Sequence, residues 1–272
     1  MTTTDEPTGT ETFQLSLEAA ERYEEHFVPA LFAEWAPRLA DVAGVGPGHR
    51  VLDVACGTGI VARTVAERTG TEGRVVGLDL NEAMLTVARR IRPDLEWRQG
   101  DASALPFPDG AFDTALCQMA LMFFPDRAGA LREMARVVRP AGVVAVVVPA
   151  SLGEQAAYGP FVELAVREAG ESARSLLDTY WACGDLGGLT ALFADAGLDV
   201  AAAETHVGTA RFSTPEELAA TEIKASPLAE RISDDVYGRI LGGAREMLRP
   251  WTRDDGTLHA PLAGHVVAGR VR

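Results

Sequence analysis

Lysine is almost missing from this chain. Lys224 is the only one among 25 basic residues, and 39 acids bring the net charge to −14. An acidic chain without a basic stripe has no means of gathering the phosphate contacts that dominate nucleic-acid affinity. Nor can it hold an anionic membrane surface. The plainest use of such charge is solubility. Cysteine is scarce as well. Cys56, Cys117 and Cys183 lie far apart and form no CxxC pair, which sets aside a zinc ribbon or a disulfide framework, and no metal site is expected. Cys56 and Cys117 fall at expected strand ends and read as small buried hydrophobes rather than nucleophiles. The valine-rich run Val143 to Val148 falls far short of the ~20 residues that span a bilayer. The first residues carry neither a basic nor an apolar leader segment, and no stretch repeats. These absences describe a cytoplasmic, soluble protein in a reducing compartment, a monomer or homodimer, with a small-molecule partner and no nucleic-acid or membrane partner.

What is present is organised around Val51 to Ala62. A short apolar run ends in Asp53, a glycine turn follows at Cys56-Gly57-Thr58-Gly59, and a helical pattern opens at Ile60. Strand, tight turn and helix N-terminus in direct succession bring main-chain N–H groups to one spot, and glycine lets a ligand approach them.

The rest of the chain extends this unit. Met1 to Thr12 has no apolar pattern, giving a flexible tail over 1–14 before a single domain over 15–272. Leu15 to Ala43 is helical in pattern, broken by Pro29 and Pro37. Its Tyr23 and Phe27 either cover the core or cap a ligand. Strands are expected at Arg50–Val54, Arg74–Leu78, Leu95–Arg98, Phe112–Gln118 and Val143–Val148. Helices lie between them at Ile60–Thr69, from Asp79 or Asn81 to about Ile91, and at Pro125–Val138. Arg139 to Gly142 reads as a sharp turn. Strands alternating with helices predict a parallel sheet with right-handed crossovers. Beyond Pro149, helices are expected at Phe161–Ala169, Ser172–Trp181, Gly187–Ala196, Pro215–Ala225 and Ser233–Leu248. Two further strands are expected at Leu198–Val207 and Ala260–Val271.

Each early strand delivers a polar group at its carboxyl end: the glycine turn, then Asp79, Asp101 and Gln118. Ligands of open parallel sheets bind outside those ends. Asp79 lies about 20 residues past the glycines, where a carboxylate accepts from both hydroxyls of a ribose. Asp101 can accept from a purine amine. Gly57 to Ala62 also fits the dinucleotide pattern GxGxxA, but a carboxylate at Asp53 repels a pyrophosphate and suits an ammonium or sulfonium group.

Four segments in this order, Val51–Gly59, Val75–Leu85, Gly100–Cys117 and Leu131–Gly142, resemble class I S-adenosylmethionine-dependent methyltransferases. The likeness is nearest to the small-molecule group that includes the quinone-biosynthesis C-methyltransferases. It covers about Leu15 to Val148 closely, is loose from Pro149 to Asp255, and returns at the last strand. It implies a Rossmann-like, doubly wound α/β fold. The seven-stranded sheet would be mostly parallel with the last strand reversed, with lid elements inserted at about 150–196 and 212–258. It also implies roles toward S-adenosylmethionine. Asp53 supports the methionine end, and Ala55, Gly57 and Gly59 offer the turn. Asp79 holds the ribose, Leu80 and Met84 flank the adenine, and Asp101 and Ala102 bond its edge. Gln118 sits below the sulfonium by its main chain. An aromatic of the first helix, Tyr23 or Phe27, closes the site. Ala141 departs from the glycine usual before the fifth strand.

The resemblance carries no universal base. By position, His206 at the end of the sixth strand and His26 on the first helix are the candidates. His49, His259 and His265 read as structural or surface groups. The acceptor pocket is expected from Met119–Phe124, Pro149–Trp181 and Phe212–Thr257, whose Met119, Phe123, Tyr158, Phe161, Tyr180 and Trp181 supply an apolar, aromatic lining for a small, partly hydrophobic molecule. Two rival readings stand beside methyl transfer: a protein of this fold that binds the cofactor without methylating, and a nicotinamide-dependent oxidoreductase.

Overall fold

The computed structural model describes residues 15–224 and 226–272. The tail expected over 1–14 lies outside them. A seven-stranded sheet runs through the described residues in the order β3-β2-β1-β4-β5-β7-β6. Its strands are β1 (Arg50–Val54), β2 (Arg74–Asp79), β3 (Glu96–Gln99), β4 (Phe112–Gln118), β5 (Val138–Pro149), β6 (Leu198–Phe212) and β7 (Leu258–Val271). Neighbours from β3 to β5 pair parallel, and β7 is antiparallel to both β5 and β6, so only the last strand is reversed.

Side chains alternate across each strand, and both faces are covered. Val51 points into one apolar cluster with Leu39, Val65 and Leu85, while Leu52 and Val54 point into the other with Leu131 and Met134. Ala145 and Val147 join the first cluster, and Val144, Val146 and Val148 the second. That is why these strands read as unbroken apolar runs. The covering helices are α1 (Leu17–Arg22), α2 (Trp35–Val42), α3 (Ile60–Thr69), α4 (Glu82–Ile91) and α5 (Arg127–Val137). They are followed by α6 (Tyr158–Ala169), α7 (Ser172–Leu177), α8 (Leu186–Asp195), α9 (Pro215–Lys224) and α10 (Asp234–Met247). None of the described helices is long and apolar enough to cross a membrane.

Three expectations are corrected. Pro29 does not break the first helix. Tyr23–Phe32 continues as a π-helix, in which Ala33 N–H donates across the wider turn to the Val28 carbonyl at 2.8 Å. The wider turn relieves the crowding a proline ring meets against the preceding α-helical turn. Pro37 stands in the first turn of α2, where a missing N–H costs nothing. Arg139 to Gly142 is not a turn between elements but a bulge inside β5. Phe112 opposes Val138, Thr114 already opposes Val143, and Ala141 takes up the kink at φ 61°. β6 and β7 also outrun their expected lengths. They pair with each other through Phe212 and Leu258, well past the end of β5 at Pro149 and Gly264.

The segments after β5 and β6 pack on each other. A Cβ on Gly243 of α10 would stand 2.7 Å from Leu164 of α6, and Arg239 reaches Glu168 at 2.9 Å. Phe161, Leu218 and Ile240 belong to the same apolar cluster as α2 and α3.

Candidate functional site

Of the polar groups expected at the strand ends, Asp79 reaches the glycine turn. Asp79 accepts from the Gly57 N–H and from the Asn81 N–H, each at 2.8 Å, so one carboxylate ties the turn to the start of α4. Asn81, not Asp79, caps that helix, accepting from Ala83 N–H at 2.8 Å. Asp53 is 1% exposed and accepts from Ala62 N–H at 2.9 Å in the first turn of α3. Desolvation raises both carboxyls, Asp53 to about 8, with the Asp79 charge adding to the rise and the Ala62 bond opposing it.

The glycines divide the work. Gly59 has φ 91°, and a Cβ there would lie 2.2 Å from the Trp97 indole, so its bareness serves packing beneath the turn. Gly57, at φ 55°, faces the other way, where a Cβ would meet the Tyr23 hydroxyl at 3.8 Å. Two non-glycine residues also hold left-handed backbone here: Ala55 (φ 56°) just past β1 and Met119 (φ 51°) just past β4. Strain of ~1–3 kcal/mol at each of two adjacent strand ends marks a turn fixed for a purpose.

Tyr23 roofs the turn. Its ring stacks on Phe27 (centroids 5.8 Å apart) and on Phe32 (5.4 Å), and burial drives its hydroxyl well above the usual range. Phe32 escaped the sequence reading because it lies beyond Pro29, where the helix was expected to end. The Gln118 side chain donates to the Phe32 carbonyl at 3.0 Å, clamping the π-helix to β4 and leaving its main chain free for the role expected of it. Arg63 does the same from α3, binding Glu24 at 2.9 Å and the Thr58 carbonyl at 3.1 Å.

Six buried side-chain polar atoms lack a hydrogen-bond partner among the described residues, and four belong to this setting: Asp53 Oδ1, Thr58 Oγ1, Gln118 Oε1 and Glu24 Oε2. Buried polar atoms are ordinarily satisfied. Four unspent acceptors around one turn suit a ligand rich in donors.

The purine end is more open. Asp101 is exposed and accepts from Ser103 N–H at 2.8 Å, and Ala102 behind it is buried. Leu80 is 42% exposed, whereas Met84 is buried with Ala20, Val87 and Tyr23.

The two candidate bases stand apart from this cluster. His26 is exposed, 3.8 Å from Glu25. His206 lies edge-on to Trp35 in a surface groove with Glu34, Arg38 and Glu204, on the outer strand of the sheet. His265 is buried mid-strand and spends both ring nitrogens, on Thr205 (2.9 Å) and the Gly184 carbonyl (3.0 Å). Among the described residues no group of three or more His, Cys, Asp and Glu could hold a metal.

Residues 52–146 match the family model of a methyltransferase domain. The chain is similar to the demethylmenaquinone methyltransferase of Renibacterium salmoninarum, 42% identical over 112 residues, which are 41% of this chain and 46% of that protein. It is 37% identical over 118 residues to the 2-phytyl-1,4-naphtoquinone methyltransferase of Synechococcus elongatus, covering 41% and 51%. The chain thus spans about half the length of the curated relatives it matches. The solved structure of the Bacillus subtilis YcgJ protein superposes with a TM-score of 0.59 at 21% identity, over 88% of this chain and 98% of that one. The likeness extends the fold, but not the sequence match, across the helical segments after β5.

Proposed function

We propose that the chain is a cytoplasmic S-adenosylmethionine-dependent methyltransferase whose acceptor is a small, partly hydrophobic, quinone-like molecule. The observation that carries the reading is the set of unspent polar atoms about the glycine turn, three of them inside the matched segment. Bound S-adenosylmethionine supplies a methyl group already activated on a sulfonium. Asp53 Oδ1 and the turn from Ala55 to Gly59 meet the amino-acid end. Asp79, which already accepts from the main chain of Gly57, Leu80 and Asn81 and keeps acceptor capacity beyond them, meets the ribose hydroxyls. Leu80 and Met84 flank the adenine, with Asp101 and Ala102 at its edge. Tyr23, Phe27 and Phe32 exclude water above the turn, and Gln118 holds that roof. The helical segments 150–196 and 212–258 act as the acceptor lid. A carboxylate at Asp53 repels the pyrophosphate of a dinucleotide, so nicotinamide chemistry fits poorly.

Calorimetric titration tests this. The chain is expected to bind S-adenosylhomocysteine and not NADH, and Asp79→Ala to weaken that binding at least ~10-fold, the loss of one charge-assisted bond. Unchanged affinity in Asp79→Ala sinks the assignment. Formation of S-adenosylhomocysteine across a panel of phenols and hydroquinones then separates a methyltransferase from a binder that does not methylate.

A further inference from the structure

The sheet has two edges, and the chain treats them differently. At one edge β3 is only 4 residues long, and its Glu96 is bonded to Arg74 and Arg98, each at 2.7 Å. A short, charged strand keeps another strand from adding to it. At the other edge β6 is 15 residues long, and from Ala201 to Gly208 it has neither proline nor lysine.

The outer main chain of β6 is open over part of that length. Thr209 N–H donates to Glu34 at 3.3 Å, away from β7. On β7 the Ala263 carbonyl accepts from Ala150 N–H, on the β5 side, so its alternate residues are the ones that bond β6. Main-chain groups change sides at every residue of an antiparallel ladder. The β6–β7 register is unbroken from Ala202 to Phe212. Both bonds therefore turn the N–H and C=O groups of Ala203, Thr205 and Val207 outward. Their side chains are exposed as well, Val207 by 60%. The opening is closed at both ends, by the bulge between Val200 and Ala202 and by Glu34 at Thr209.

The intervening residues say what fits. Glu204 and His206 face α2 and line a groove of about 540 Å³ together with Glu34, Arg38 and Asp41. Glu204 accepts from Arg38 at 2.7 Å, and His206 lies 3.9 Å from Glu34. A second copy of β6 can pair here about a two-fold axis only if outward residues oppose outward residues. Centred on Thr205, that pairing sets Ala203 against Val207 and Glu204 against His206 of the second copy. Shifted by one residue either way, it sets Glu204 against itself or His206 against itself. The Glu204–His206 positions are of the type without mutual main-chain bonds, with Cα atoms ~4.5 Å apart, where side chains come closest. A row of alternating charge then crosses the axis: Arg38, Glu204, then His206 and Glu34 of the second copy.

We infer that Ala203–Val207 of β6 pairs with the same stretch of a second copy of this chain, antiparallel and centred on Thr205, so that one sheet runs through a dimer. The pairing adds about six main-chain hydrogen bonds and a Glu204–His206 contact on each side of the axis. His206, remote from the glycine turn, thereby serves association. The area covered is small, and the expected Kd is on the order of 10 μM.

Sedimentation velocity of the full chain is the test. From about 1 to about 100 μM the chain should pass from monomer to dimer. A monomer throughout overturns the inference and leaves the edge to a strand of another protein. His206→Lys sets a permanent cation opposite Glu204 and should tighten the dimer about five-fold, whereas His206→Glu should weaken it about ten-fold. If both variants weaken it, or neither changes it, these residues do not oppose each other and the inference falls. Val207→Pro removes an outward N–H that β7 does not use, so the strand keeps its own ladder and the dimer is lost. A dimer that survives Val207→Pro overturns the inference. If that variant does not fold by circular dichroism, hydrogen exchange of the wild type decides. The amides of Ala203, Thr205 and Val207 should exchange several-fold more slowly in the dimer than in the monomer, and unchanged exchange overturns the inference.

Discussion

At the amino-terminal end of the sheet, Asp113 accepts from the Arg50 main-chain N–H at 2.8 Å, from the Arg50 guanidinium at 3.1 Å and from Arg139 at 2.6 Å. Those arginines hold its carboxyl far below the usual range. Glu96, at the start of β3, is likewise lowered, since Arg74 and Arg98 outweigh its burial. At the carboxyl end the acids are treated the other way. Asp53 and Asp79 meet main-chain N–H groups, Glu222 meets none, and desolvation raises all three. One end spends its charges on the fold. The other keeps hydrogen-bonding capacity in reserve at a cost in stability, as a site prepared for a ligand does.

The largest consequence is in the pH dependence of stability. Asp53 and Glu222 have folded-state pKa values of about 8 and about 7, above their unfolded values. Their protonated forms favour the fold. The contribution is complete below the unfolded pKa and is lost as pH rises through 7 to 8. Asp113 runs the opposite way: its contribution is present above the unfolded pKa and is lost on acidification. Urea unfolding should show stability falling by on the order of 3 kcal/mol from pH 5 to pH 9. The double variant Asp53→Asn, Glu222→Gln should be much flatter. A wild-type curve that is level or rising over that range would remove the contrast between the two ends.

A smaller effect should come from the amino-terminal end. Asp113→Ala strands two arginines and the Arg50 N–H. Because the pairs are only partly buried, the expected loss is about 2 kcal/mol in urea, discounted from that of a fully buried pair. S-adenosylhomocysteine affinity should not change. A drop in affinity at this distance from the turn would show that the ends are coupled.

How far each region could be read from sequence follows the same division. The turn and the place of Asp79 against it were legible because main-chain geometry fixes them: a strand end, a glycine turn and a helix start leave few alternatives. β1, β4 and α3 fall where their residue patterns place them. Gly59 was legible as a bare position but not as the seat of Trp97, since that partner comes from a strand nearly 40 residues on. The π-helix was invisible because Pro29 signals a break and no local residue pattern marks wider turns. Glu222 carried no signal at all. On α9 it looks like any exposed acid, and the desolvation that raises it comes from the fold and not from its sequence neighbours. Asp113 was hidden for the same reason, its arginines standing on two other strands.

The sharpest cut between reserve and structure is Asp53→Asn. The amide keeps the shape and the acceptor for Ala62 N–H, so the fold loses little and sheds an unpaired buried charge. Near pH 8 its stability should equal or slightly exceed that of wild type. The position of the orphaned Oδ1, however, is then taken by the amide NH2, a donor facing the place assigned to an ammonium group. S-adenosylhomocysteine affinity should fall about ten-fold, ~1.4 kcal/mol. Asp113→Ala weakens the fold and spares binding, while Asp53→Asn spares the fold and weakens binding. Measured together on one chain, the two variants test whether the sheet divides its carboxylates by end. If Asp53→Asn bound as wild type does, Asp53 would be a structural acid, and the reserve at this end would shrink to Thr58, Glu24 and Gln118.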